Sequence, residues 1–145
     1  MRKLFLDDVR NPKDCSYYMD SSLVLLYNTP DWDIVRSYDE FVKYIMENGM
    51  PDLISYDHDL ADEHYFPLDT STRYKQLLSE DKLDEFYSTT FTEKTGYDCA
   101  KWLVEYCMDY KVTPSQFIVH SMNPTGGINI KSILVNYNLF LKENV

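Results

Sequence analysis

Three short apolar runs, each breaking off abruptly into polar residues, constrain this chain more than any other feature: Lys3 to Asp8, Leu53 to Leu60 and Gln116 to Ser121. The central one reads Leu53-Ile54-Ser55-Tyr56-Asp57-His58-Asp59-Leu60, so its apolar part ends in two carboxylates flanking an imidazole. Short apolar, partly β-branched runs bounded by turn signals fit strands covered on both faces, as in the parallel sheets of α/β proteins. Such sheets bind ligands just beyond the carboxyl ends of their strands, where loops splay apart and helix N-termini point inward. With the three strands parallel and adjacent, Asp7, Asp8, Asp57, His58, Asp59, His120 and Ser121 line one crevice.

The chain between these runs supplies the covering layers. Leu4-Phe5-Leu6 leads into Asp7-Asp8-Val9-Arg10-Asn11-Pro12, where the Asn-Pro step ends the strand and opens a loop. Residues 13–30 show no single periodicity; Ser22 to Tyr27 fits a strand, an edge element or an apolar clasp over the sheet. Trp32-Asp33-Ile34-Val35-Arg36 alternates and reads as a strand. Ser37 then caps a helix with Glu40 at capping-box spacing; Phe41, Tyr44, Ile45 and Met46 form its apolar face, and Gly49-Met50-Pro51 stops it. Thr95 caps a second helix with Asp98 as reciprocal partner, and Tyr97, Ala100, Leu103, Val104 and Cys107 recur along it at helical spacing. Phe117-Ile118-Val119 is the last strand, followed by a helical pattern through Ile130, Ile133, Leu134, Tyr137 and Leu141.

Between the third strand and the Thr95 helix lies a long interruption, about residues 61–95, holding Tyr65, Phe66, Tyr74, Phe86, Tyr87 and Phe91 and patterns for two short helices near 71–79 and 80–87. A loop of this length in a compact domain is usually functional or disordered. Its aromatics fit a packed lid beside the crevice, and a solvated insertion without a chemical role fits nearly as well.

At 145 residues the chain is expected to form one domain, 1–145, with a single core. Its net charge of -10 argues against binding extended duplex nucleic acid, since affinity for a polyanion rests on Lys and Arg. A bound cation reverses that balance locally. Cys15, Cys99 and Cys107 show no C-x-x-C spacing, so neither a disulfide framework nor a structural zinc site is indicated, and a reducing, cytoplasmic setting is expected. The start of the chain lacks the apolar region of a secretory signal, and no apolar stretch reaches the roughly 18 residues a membrane span requires.

Two adjacent carboxylates at the end of a buried strand are costly unless a cation or donors accompany them, and hard oxygen ligands suit Mg²⁺. The bland reading has one Asp capping a turn and the other solvated; the convergence of the strand tips favours a site. Asp7 and Asp8 are thus candidate ligands for Mg²⁺. His120 is the candidate proton donor to a departing oxygen, Asp59 or His58 would orient or deprotonate a water, and Arg10 would steady the substrate's negative charge. The loop Ser121-Met122-Asn123-Pro124-Thr125-Gly126-Gly127 reads as a phosphate cradle, with the Gly126 and Gly127 N–H groups and the positive end of the following helix facing the anion. The duller alternatives are that His58 fixes a turn, that Arg10 simply pairs with Asp7 or Asp8, and that His64 is merely exposed.

With these tips in hand, the chain resembles the receiver-like superfamily, in which an acidic pair after the first strand and an aspartate after the third hold Mg²⁺. More closely, Leu4-Phe5-Leu6-Asp7-Asp8-Val9-Arg10-Asn11-Pro12, Ile54-Ser55-Tyr56-Asp57-His58-Asp59-Leu60, Thr95-Gly96-Tyr97-Asp98 and Val119-His120-Ser121-Met122-Asn123-Pro124 are similar to the cyclic-phosphate-processing receiver-like domains. The resemblance implies a flavodoxin-like three-layer sandwich with a mostly parallel sheet of strand order 2-1-3-4. It also implies action on cyclic phosphate ends of RNA or a related phosphoester. By that resemblance Asp7 and Asp8 take the acidic-pair positions and Asp57 the phosphoacceptor-like position, so that the three would hold Mg²⁺ or Mn²⁺, and Ser121 lies near the receiver hydroxyl position. A signalling receiver has a fifth strand ending in lysine, and after Gly127 only one helical pattern follows. That departure favours turnover over storage of a phosphoryl group, with a phospho-accepting module and a non-catalytic nucleotide or phosphate binder as the alternatives.

Overall fold

The computed structural model describes residues 1–60 and 94–143. The aromatic lid, its two short helices and His64 lie outside the described residues. Four strands, β1 (Lys3–Leu6), β2 (Trp32–Val35), β3 (Leu53–Tyr56) and β4 (Gln116–Val119), form one sheet in the order β2-β1-β3-β4, every pair parallel. This is the flavodoxin-like receiver order. The register sets Leu6 beside both Val35 and Tyr56, and Tyr56 beside Val119. The ladder then runs one residue further: Asp7 N–H bonds Val35 O, Asp57 N–H bonds Leu6 O and His120 N–H bonds Tyr56 O. Asp7, Asp57 and His120 consequently leave the sheet at one level on three adjacent strands.

Alternation along the strands sends residues to two different layers. Leu4, Leu6, Ile54, Tyr56 and Val119 face one side, where they meet three long helices: α3 (Tyr38–Asn48), α4 (Gly96–Tyr110) and α5 (Pro124–Glu143). Phe41, Ile45, Leu103, Ile130 and Leu134 bring those helices down onto the sheet. Phe5, Trp32 and Leu53 face the other side, which is covered by the segment that was open in the sequence. There α1 (Pro12–Cys15), a 3₁₀ turn (Ser21–Leu23) and α2 (Val24–Tyr27) form the apolar clasp rather than a strand. Helices of four residues do not stand by propensity alone. What holds them is the burial of Cys15 and Tyr27 against Phe5 and a Trp32 Nε1–H bond to Leu26 O at 3.1 Å. Each fully buried large side chain contributes about 1.5–3 kcal/mol, and Phe5→Ala, at the centre of that layer, would cost about 3–5 kcal/mol.

The helix signals read from the sequence have local counterparts. Ser37 Oγ accepts the Glu40 N–H at 3.1 Å, while Glu40 turns back to the Arg36 N–H rather than to Ser37 itself. Met46, expected on the apolar face of α3, is 57% exposed, and Val42 packs against the core instead. Gly49, at φ 81°, ends that helix in a conformation few other residues adopt. Thr95 and Asp98 cap α4 reciprocally. After β4 the chain enters α5 directly, so no fifth strand occurs among the described residues. No helix among them is long and apolar enough to cross a membrane.

Candidate functional site

Asp7 is fully buried, and both its oxygens are engaged. Oδ1 accepts the backbone N–H groups of Val9 at 2.9 Å and Arg10 at 2.8 Å, which folds the chain sharply after β1. Oδ2 accepts His120 Nε2–H at 3.0 Å and the Arg10 guanidinium at 3.3 Å. Burial alone would raise the Asp7 pKa, but the bonds from His120, Arg10 and Val9 outweigh it and hold the carboxyl at about 2. Asp57 is nearly as buried and takes the opposite state. Burial first, then the charges of Asp7 and Asp59, push it up to about 8, with Arg10 opposing. Its Oδ1 accepts the His58 N–H at 2.9 Å and lies 3.9 Å from Arg10 Nη1. Its Oδ2 is enclosed and has no hydrogen-bond partner among the described residues.

His120 sits beneath the tips, stacked on Phe5 with ring centroids 4.4 Å apart. Because Asp7 is a carboxylate and can only accept, His120 Nε2 must carry the hydrogen between them. In the neutral ring Nδ1 then accepts from Ser55 Oγ at 2.6 Å, and Ser55 accepts in turn from Tyr27 OH at 2.8 Å. Burial, which lowers the His120 pKa, favours that neutral ring. The clasp also holds the His120 backbone, since Tyr18 OH donates to His120 O at 2.7 Å. The expectation that His120 protonates a departing oxygen is corrected here: the residue is fully buried, both ring nitrogens are engaged, and its contact with the site is through Asp7.

Residues 2–136 match the family model of the cyclic-phosphate processing receiver domain. The chain belongs to that family. No curated protein and no solved structure matches it.

Receiver domains commonly hold a divalent cation on acidic residues, and the donor set of this one fits such an ion. Ligand atoms of Asp7, Asp57 and His120 lie within 4.8 Å of one another. Two of these residues supply hard carboxylate oxygen, and an enclosed carboxyl oxygen without a partner costs about 1–3 kcal/mol unless something satisfies it. Asp8 is only half-buried, outside that cluster, though its charge reaches Asp57 and adds to the upward push on its pKa.

His58 follows Asp57 directly and is nearly as buried. His58 Nδ1 lies 3.0 Å from Asp59 Oδ1, which also accepts from Asn123 Nδ2 at 3.3 Å. With Nδ1–H donated to Asp59, the neutral ring carries its lone pair on Nε2. Two glycines make room for this corner. A Cβ on Gly126 would lie 2.2 Å from His58 Cγ, and one on Gly96 would lie 1.7 Å from Asp57 O, where Gly96 N–H also bonds His58 O at 2.8 Å.

The glycine-rich loop is not the phosphate cradle expected of it. Gly126 N–H is donated to Asn123 Oδ1 at 3.0 Å and Gly127 N–H to Asn123 O at 2.8 Å, so Asn123 caps α5 and both N–H groups are spent. Gly126 serves packing against His58. Ser121 Oγ accepts the Asn123 N–H at 3.1 Å, which leaves the hydroxyl hydrogen to donate. The Arg10 guanidinium meets Asp7 and Asp57, with the Tyr18 ring under it at 5.6 Å. The sequence reading missed Ser55, Tyr18 and Tyr27, and also Arg36, whose guanidinium bonds the carbonyls of Asp7 and Arg10 and the Asn11 side chain. Of these only Ser55 carried a signal, as the one small polar residue inside a fully buried strand.

Proposed function

We propose that this receiver domain is a metal-dependent phosphoesterase that opens the cyclic phosphate end of an RNA or a related phosphoester. The observation that carries the reading is Asp57 Oδ2, an enclosed carboxyl oxygen without a partner among the described residues, beside the Asp7 carboxylate at the tips of the two central strands. In this reading Asp7 and Asp57, with Asp8 at the rim, hold Mg²⁺ or Mn²⁺. When bound, such an ion polarises phosphoryl oxygens and lowers the pKa of water.

The remaining work falls to the chain's own side chains. Arg10 offers a planar fork of donors that matches phosphoryl oxygens. Ser121 donates its free hydroxyl hydrogen to the same group. His58 Nε2, which keeps its lone pair when Nδ1–H is donated to Asp59, accepts the proton of the attacking water and returns a proton to the departing ribose oxygen, and Asn123 steadies the Asp59 carboxylate. His120 positions Asp7. A net charge of -10 favours a small phosphorylated ligand or a single RNA end over an extended duplex. Three buried cysteines, none of them in a disulfide, fit a cytoplasmic setting.

The test is turnover of a short RNA ending in a 2′,3′-cyclic phosphate, with Mg²⁺ or Mn²⁺ and with chelator, by the parent and Asp57→Asn. Metal-dependent ring opening that disappears in Asp57→Asn is expected. A folded parent that binds the metal but leaves the ring intact would overturn the hydrolase reading for this substrate.

A further inference from the structure

We propose that Arg10 and the divalent cation compete for one position on Asp7, so that cation binding frees the Arg10 guanidinium to take the phosphoryl group of the substrate. The inference rests on the metal-dependent reading above. A carboxylate offers about four lone-pair positions over its two oxygens. On Asp7 the donors are Val9 N–H, Arg10 N–H, His120 Nε2–H and Arg10 Nη1–H. Three of them cannot move cheaply: two are backbone groups of the turn, and the third is a fully buried ring stacked on Phe5. The fourth is the end of a flexible side chain, 19% exposed, and its bond is the longest of the set at 3.3 Å. The same Nη1 is 3.9 Å from Asp57 Oδ1, so the guanidinium bridges the pair that a cation would use.

A cation on Asp7 therefore takes the place of Nη1, and two positive charges do not share it. The Arg10 backbone stays where it is, because its N–H is bonded to Asp7 and its carbonyl to Arg36. Only the side chain swings. The Tyr18 ring, tied through its hydroxyl to His120 O, gives the planar guanidinium a face to move across while remaining at the rim. The consequence is an order of binding: cation first, phosphoryl anion second. Without the cation, the side chain best suited to the anion is held by the Asp7 carboxylate.

The experiment measures Mn²⁺ affinity by electron paramagnetic resonance of free Mn²⁺ for the parent and Arg10→Gln, and inorganic phosphate binding to both in saturating Mn²⁺. Loss of a competing charge-assisted bond is expected to tighten Mn²⁺ binding by about tenfold, while phosphate binding weakens by a similar factor. In the ¹⁵N-labelled parent, saturation with Mg²⁺ is expected to move the Arg10 Nε–H signal and speed its exchange with water. Mn²⁺ binding that is equal or weaker in Arg10→Gln, or an Arg10 signal that Mg²⁺ leaves unmoved while it binds, would overturn the inference and leave the metal-dependent reading standing. If the parent binds neither ion, the metal-dependent reading falls and takes this inference with it.

Discussion

Replacing Asp57 with Asn should stabilise the cation-free protein, and increasingly so as pH rises. Asp57 is 1% exposed, and its carboxyl is displaced from 3.8 to about 8 by burial and by the charges of Asp7 and Asp59. Between roughly pH 4 and pH 8 the folded chain therefore keeps a proton that the unfolded chain has already lost, and stability falls as pH rises through that window. At about 1.4 kcal/mol per pH unit the displacement is worth on the order of 6 kcal/mol, a ceiling that water entering the crevice would reduce. Asn is nearly isosteric, keeps an oxygen for the His58 N–H, and never acquires the charge. Urea unfolding of both proteins in chelator, from pH 4.5 to 8.5, should give a stability difference near zero at the acid end that grows in favour of Asn by several kcal/mol. Millimolar Mg²⁺ should restore the parent at high pH and leave Asp57→Asn unchanged. Parallel pH curves for the two proteins would refute the burial-and-repulsion account of this carboxyl.

The buried hydrogen-bond chain predicts an order of effects. Ser55→Ala leaves His120 Nδ1 without a donor and should cost about 1–3 kcal/mol, whereas Tyr27→Phe removes only a donor to Ser55 and should cost less, about 1 kcal/mol, by the same urea assay; the reverse order would contradict the direction assigned to the chain. Gly126→Ala should abolish cyclic-phosphate turnover without raising the melting temperature, although helix propensity favours Ala by about 1 kcal/mol, because its Cβ meets the His58 ring at 2.2 Å. A more stable Gly126→Ala protein with turnover intact would show that His58 does not need that space.

The strands were legible because burial on both faces leaves a strong mark: Leu4-Phe5-Leu6 and Leu53-Ile54 have no exposed side to encode. Their parallel register made the meeting of Asp7, Asp57 and His120 foreseeable, since polar residues that end aligned strands emerge together. Thr95 and Asp98 announced a helix start, because a reciprocal cap needs those residue types at that spacing. The clasp over 12–27 was not legible. Its short helices carry too few turns to show a period, and Tyr18 and Tyr27 act through hydroxyl contacts to residues 102 and 28 positions away. The glycine pair misled for a related reason. Gly126 is required by the His58 ring across the site, a long-range packing demand that looks in sequence like a phosphate loop. His120 likewise looked like a proton donor because its strand position was readable, while its burial under Tyr27 and Phe5 was not.

The most direct measurement is the anomalous diffraction of a crystal of the full chain equilibrated with Mn²⁺. The account requires a peak between the carboxylates of Asp7 and Asp57, with Asp57 Oδ2 turned to it and the Arg10 guanidinium withdrawn from Asp7. A crystal in which Arg10 still bridges the two carboxylates, with Mn²⁺ bound elsewhere or nowhere, would contradict it.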